Sequence, residues 1–482
     1  MEKSEQATPN KTEKKKMNNK YLPLLIALLY AAELQAQSLQ PAPRLVVNIT
    51  VDQLRTDYIE YFAPLYSQDG FRKILQQGRV YEAANYPFSP IDRASAIATI
   101  ATGTTPYYHG IIASRWLDRS TLRAIHCVDD PTHYTSPWRM QTTALADELK
   151  ATSHGSPIAW AVAADREAAV LSAGHAADGA LWMDERTNRW RSSTYYNTAT
   201  PTWLKAYSST AQQPTNAAVA DMAVATVTSA AMGMDEITDY LAVTLSAVPS
   251  STDTLSNWQT NMEPIYLDLD RTIGKLISNI EAKIGAQHVM FVLTSTGYEA
   301  ESDNDLATYR IPTSTFKINR TANLLNVFLS AIYGQARYVV ACYRNEVYLD
   351  HQLIEQKRIA TSDILHRAQE FLILNQGVAD VYTSERLLNG NNDIQKLRNG
   401  FNPSLSGDII IQVKPGWRLL NEETQQSYIQ RASFVPFPII FYGATIKAEH
   451  ITTPVSTDRI APTIAKAIRI RAPNACSAEP LF

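Results

Sequence analysis

Apolar and polar positions alternate along the chain in blocks that predict strands separated by amphipathic helices. Leu45 to Val51 (LVVNITV) is a short apolar, β-branched run of the kind that forms a buried parallel strand. It ends in Asp52-Gln53, so a carboxylate sits at the strand's carboxyl end, the edge where open α/β sheets bind ligands. Similar runs recur at Tyr240 to Leu245, His288 to Leu293, Tyr338 to Cys342 and Pro438 to Tyr442. Between two of them, Ile265 to Ile284 carries Leu267, Leu269, Ile273, Leu276, Ile277 and Ile280 mostly on one helical face. The alternation predicts an α/β fold, a mainly parallel sheet sandwiched by helices. Residues 120–215, rich in Ser, Thr, Trp and Tyr, read as an inserted cap. Residues 305–405 read as a second insertion with Asn-Gly turns at Asn389-Gly390 and Asn399-Gly400.

The 482 residues suffice for one large domain with insertions, and a net charge of −3 gives no reason to expect nucleic acid as a partner. The N-terminus changes the picture. A short positive segment from Met17 precedes twelve apolar residues, Tyr21 to Ala32, and small residues suited to cleavage follow up to Ala36. This is the pattern of a secretory signal peptide, too short to span a membrane. Residues 1–36 are therefore expected to be extension and signal, and 37–482 the exported domain, periplasmic or secreted. No later stretch reaches 18 apolar residues, so no stable membrane span is expected in the mature chain. Of three cysteines, Cys342 lies in an apolar run and is expected to be a buried thiol, which leaves Cys127 and Cys476 as a candidate disulfide.

A set of ordered motifs points further. They are Val51-Asp52-Gln53 with Asp57-Tyr58, Thr102-Gly103 before Pro106 and His109-Gly110-Ile111, and Trp116-Leu117-Asp118. Asp165-Arg166 through Gly174-His175-Ala176, Ser406-Gly407-Asp408, Phe441-Tyr442-Gly443 and Asp458 to Thr463 complete the set. In order and spacing, from about Leu45 to Phe482, the chain resembles the alkaline phosphatase superfamily, in particular bacterial enzymes related to type I phosphodiesterases and nucleotide pyrophosphatases. That resemblance implies two zinc ions held by aspartates and histidines, with a Thr or Ser nucleophile attacking phosphorus between them.

Carried over residue by residue, the resemblance matches Asp52 to the first metal aspartate, a remnant metal ligand. Counting back from Thr102-Gly103 puts Arg93 where the nucleophile is expected, with Ser95 the nearest hydroxyl. After Leu245 the expected Asp and His are replaced by Pro249 and Asp253, or by Asp253 and Asn257 in a shifted register. The expected Asp-His pair after the strand at 288–293 reads Thr294-Ser295-Thr296-Gly297. No histidine precedes Val435-Pro436, and the expected Lys-x-Arg reads Ala164-Asp165-Arg166.

The expectation that follows is a family fold with most zinc ligands and the nucleophile lost, acting by binding and needing no cofactor. Its partner would be another envelope protein or an anionic ligand bearing phosphate or sulfate. Arg93 and Arg166 are the candidate anion-binding residues, unless Arg93 pairs with Asp52 or Asp92 and fills the old metal space. The competing expectation is a zinc-dependent hydrolase of phosphate mono- or diesters rearranged around Asp52, Ser95 and Asp253. His109 and His175 are expected to make structural hydrogen bonds, His126 to be an ordinary surface residue, and the acidic run 299–305 to be a solvated loop.

Overall fold

The computed structural model describes residues 41–196, 201–207, 209, 211–248, 258–297, 310, 312–429 and 435–482. The expected signal peptide, Asp253, Asn257 and the acidic run 299–305 lie outside these residues.

Leu45–Asp52 is the centre of the main sheet because every one of its residues is buried, so both of its faces must be covered. It runs parallel to Asp239–Ser246 on one side and to Val289–Ser295 on the other. Ala159–Ala163 and Gly179–Met183 continue the parallel order, and the short strand Trp190–Arg191 closes that edge antiparallel. On the opposite side Phe437–Gly443 is antiparallel to both of its neighbours, Val289–Ser295 and Arg79–Asn85. The sheet is thus mixed, with a parallel heart. Side chains alternate between two cores: Val46, Tyr240, Ala242, Met290 and Val292 enter one, and Val47, Ile49, Leu241, Val243, Phe291 and Leu293 enter the other. Helices cover both faces, among them Arg93–Thr102 and Arg166–Ala173 on the first and Trp258–Ile284 on the second.

Four expectations are corrected here. Residues 120–215 are not a separate cap, since Ala159–Ala163 and Gly179–Met183 are strands of the main sheet. Val339–Tyr343 does not join that sheet. It pairs with Glu346–Leu349 in a four-stranded sheet completed by Ile409–Val413 and Val378–Thr383. That sheet and the helices Ile318–Tyr333 and Thr361–Ile373 share their own apolar core, so the second insertion runs on past 405. Cys127 and Cys476 are both free thiols. Cys127 is fully buried beside Glu167, whereas Cys476 packs near Gly103 at the end of Arg93–Thr102. Among the described residues no helix is long and apolar enough to cross a membrane.

Candidate functional site

Asp52 ends the central strand opposite Ser246, and the next residue, Gln53, turns the chain with φ of 58°. This is the left-handed region that a side chain enters at a cost, and such strain gathers at sites where the chain must leave a sheet edge abruptly. Arg93 reaches the same edge from the first position of Arg93–Thr102. Asp92 caps that helix by accepting from Ala94 N–H, and Gly103 ends it in the left-handed conformation.

The Arg93 guanidinium is the hub of the site. Its Nε donates to Asp52 Oδ2 at 2.9 Å, and its two terminal nitrogens grip Asp165 at 3.0 and 2.6 Å. One of them also lies 3.3 Å from Glu167 Oε1. Both acids come from the start of Arg166–Ala173, where Asp165 is the N-cap and accepts from Ala168 N–H. The other oxygen of Asp52 accepts from the Thr296 hydroxyl at 2.6 Å, and Thr296 Oγ1 in turn accepts from Gln53 N–H. Burial pushes the Asp52 carboxyl up, against the pull of Arg93. Burial acts the same way on Asp165, but there the bidentate arginine outweighs it and holds the carboxyl below its ordinary value.

Each sequence candidate can now be placed. Arg93 pairs with Asp52 and not with Asp92, whose carboxylate takes Ser114 and Arg344. Ser95 is fully buried, and its hydroxyl donates to the Asp92 carbonyl while accepting from Asp92 N–H. The nearest hydroxyl to the nucleophile position is therefore committed to capping a helix. Arg166 pairs with Asp129 at 2.8 Å and lies over the Tyr134 ring. His109 bridges Thr99 and the Ile111 N–H in full burial, which depresses its pKa to about 3 and keeps it neutral. His175 faces the Asp147 carboxylate and the Met140 carbonyl, a structural role as expected. His126 departs from expectation: it is largely buried, with Nε2 3.3 Å from Glu167. Sequence reasoning missed Asp165 and Glu167. The available signal was an Asp at a helix start followed two residues later by a Glu.

These groups open into a cleft of about 410 Å³ lined by Arg93, Arg115, Arg166, Arg186, Tyr134 and Trp182 together with acidic neighbours. Ion pairing has already taken Arg93 and Arg166.

A parallel-centred sheet with a carboxylate at its carboxyl edge, flanked by helices that supply the facing residues, is an α/β scaffold with its site at the edge where such sheets bind ligands. Residues 46–433 match the family model for type I phosphodiesterase / nucleotide pyrophosphatase, and the chain belongs to that family. It is 24% identical to alkaline phosphatase PafA of Elizabethkingia meningoseptica over 95% of this chain and 98% of the relative. It is also 24% identical to alkaline phosphatase PhoV of Synechococcus elongatus, with the same coverage. The crystal structure of PafA superposes with a TM-score of 0.79 at 23% identity, covering 92% of this chain and 98% of that one. A mouse ectonucleotide pyrophosphatase / phosphodiesterase 5 structure shares the fold more loosely, with a TM-score of 0.55 at 11% identity over 89% of this chain and 95% of that one.

Membership corrects the expectation that no cofactor is involved, because the alkaline phosphatases and nucleotide pyrophosphatases of this group are metal-dependent, typically on zinc. Zinc takes lone pairs from Asp, His or Cys. Around Asp52 those lone pairs already receive hydrogen bonds from Arg93 and Thr296, and a guanidinium repels a cation. Among the described residues, those gathered at Asp52 do not fit a zinc pair. The metal question therefore moves to other residues of the chain.

Proposed function

We propose that this chain is an exported, non-catalytic member of its family that works by binding, with the phosphoryl-transfer centre replaced by an ion-pair hub. The observation that carries this reading is Arg93 lying across Asp52, Asp165 and Glu167. Nucleophilic catalysis needs an activated hydroxyl at that position, and an always-charged guanidinium has no such chemistry. A hydrolase rearranged around Asp52, Ser95 and Asp253 is the competing reading. The engagement of the Ser95 hydroxyl with Asp92 argues against it.

The cleft suggests what is bound. Arg115 and Arg186 make no ion pair with a described carboxylate, while Arg93 and Arg166 are held in place by theirs. Planar guanidinia pair bidentately with phosphate or sulfate oxygens. The ligand is therefore a phosphate- or sulfate-bearing group, free or displayed by an envelope partner. Titration calorimetry of the full chain with inorganic phosphate, and separately with sulfate, tests this. Binding is expected, and Arg115→Ala with Arg186→Ala is expected to weaken it roughly tenfold or more. Affinity unchanged by the double variant would remove the cleft from the reading.

A further inference from the structure

His126, Cys127 and Glu167 bring one nitrogen, one sulfur and one oxygen ligand atom within 4.8 Å of one another. Glu167 Oε2 lies 3.3 Å from His126 Nε2 and 3.7 Å from Cys127 Sγ, and Sγ lies 3.7 Å from His126 Nδ1. Zinc–ligand lengths of about 2.0 Å to nitrogen or oxygen and 2.3 Å to sulfur, at tetrahedral angles, put ligand atoms roughly 3.3 to 3.5 Å apart. The distances from Glu167 to His126 Nε2 and to Cys127 Sγ come within a few tenths of an ångström of that spacing. The sulfur meets the other ring nitrogen, Nδ1, so a set with one nitrogen, one sulfur and one oxygen lies within 4.8 Å and tightens as it takes up a metal ion. From the geometry we infer that His126, Cys127 and Glu167 form a three-ligand site for a divalent, sulfur-tolerant metal ion of the zinc class.

The surroundings support the same conclusion. The other oxygen of Glu167 is fixed by the Ser114 hydroxyl at 3.2 Å and by Arg93, which orients Oε2 toward the cluster. Cys127 is anchored through its N–H to the Ser114 carbonyl, so one short segment holds two sides of the site. His126 and Glu167 also line the cleft, so a fourth coordination position opens toward an anionic ligand or water. Metal uptake requires that Cys127 give up its proton, and the affinity therefore rises with pH. Glu167 also meets Arg93 in the ion-pair hub, but through its other oxygen, so metal uptake at Oε2 does not rest on the non-catalytic reading.

Cobalt(II) titration of the full chain tests it, with the sulfur-to-cobalt charge-transfer absorption as the readout. One cobalt per chain with that absorption is expected. Cys127→Ser should abolish it, Cys342→Ser should leave it unchanged, and His126→Ala should weaken cobalt binding at least tenfold. Thermal melts of each apo variant, matching the wild-type apo protein, separate ligand loss from misfolding. No charge-transfer absorption in the wild type overturns the site, as does absorption that persists in folded Cys127→Ser. Failure here leaves phosphate capture by Arg115 and Arg186 to be judged by its own titration.

Discussion

Arg93→Ala is expected to lower the unfolding free energy by about 3 kcal/mol at neutral pH, measured by chemical denaturation. The loss comes from what stays behind. Asp52, Asp165 and Glu167 would keep their partly buried positions without the guanidinium that holds them together. Arg93→Lys should recover only part of the loss, since a point charge cannot match the two-pronged grip on Asp165. The effect has a defined pH dependence. Asp165 has a depressed folded pKa, so its contribution is present above its unfolded value and is lost as pH falls through the folded one. Asp52 is raised by burial, so its ionisation costs stability as pH rises, and more so without Arg93. Both trends make the gap between wild type and variant widest near neutrality and narrow below about pH 4, the ordinary aspartate value. A gap that is flat across this range would mean that the carboxylates are not what Arg93 holds.

Asp408→Ala is expected to cost a similar amount, about 3 kcal/mol, and to loosen the inserted sheet selectively. Asp408 is almost fully buried. It accepts from Leu349 N–H at 2.8 Å, pairs with Arg119 at 3.2 Å and meets His351 Nε2 at 2.8 Å. Arg119 follows the strand Arg115–Asp118 of the hairpin whose other strand ends in His126, so this carboxylate ties that hairpin to the insertion. Limited proteolysis should therefore cut the inserted region sooner in the variant. The hydrogen bond to Asp408 raises the His351 pKa. That stabilisation is present below the ordinary histidine value and is lost as pH rises through the folded one. Raising the pH past neutrality should weaken the wild type slightly and leave Asp408→Ala unaffected. Equal cutting of both proteins would contradict this tie.

The parallel heart of the sheet was legible because Leu45 to Val51 and its two neighbours are mostly apolar, β-branched runs, as strands buried on both faces tend to be. Arg79–Asn85 (RVYEAAN) escaped because Arg79 and Glu82 interrupt its apolar residues and it is only partly buried. Ala159–Ala163 and Gly179–Met183 are short and surrounded by polar sequence, so they passed for cap. Val339–Tyr343 was recognisable as a strand, but periodicity carries no information about which sheet a strand joins. In the site, Asp52 and Arg93 could be paired because family spacing brings them to one edge. Glu167 and His126 meet 41 positions apart only through the fold. That distance is why His126 read as a surface residue and Cys127 as half of a disulfide.

The most direct measurement is hydrolysis of p-nitrophenyl phosphate and bis-p-nitrophenyl phosphate by the full chain with zinc supplied. No turnover above buffer is expected, either from the wild type or from Asp52→Ala. Zinc-dependent turnover that disappears in a folded Asp52→Ala protein would contradict the non-catalytic reading and make Asp52 a working metal ligand.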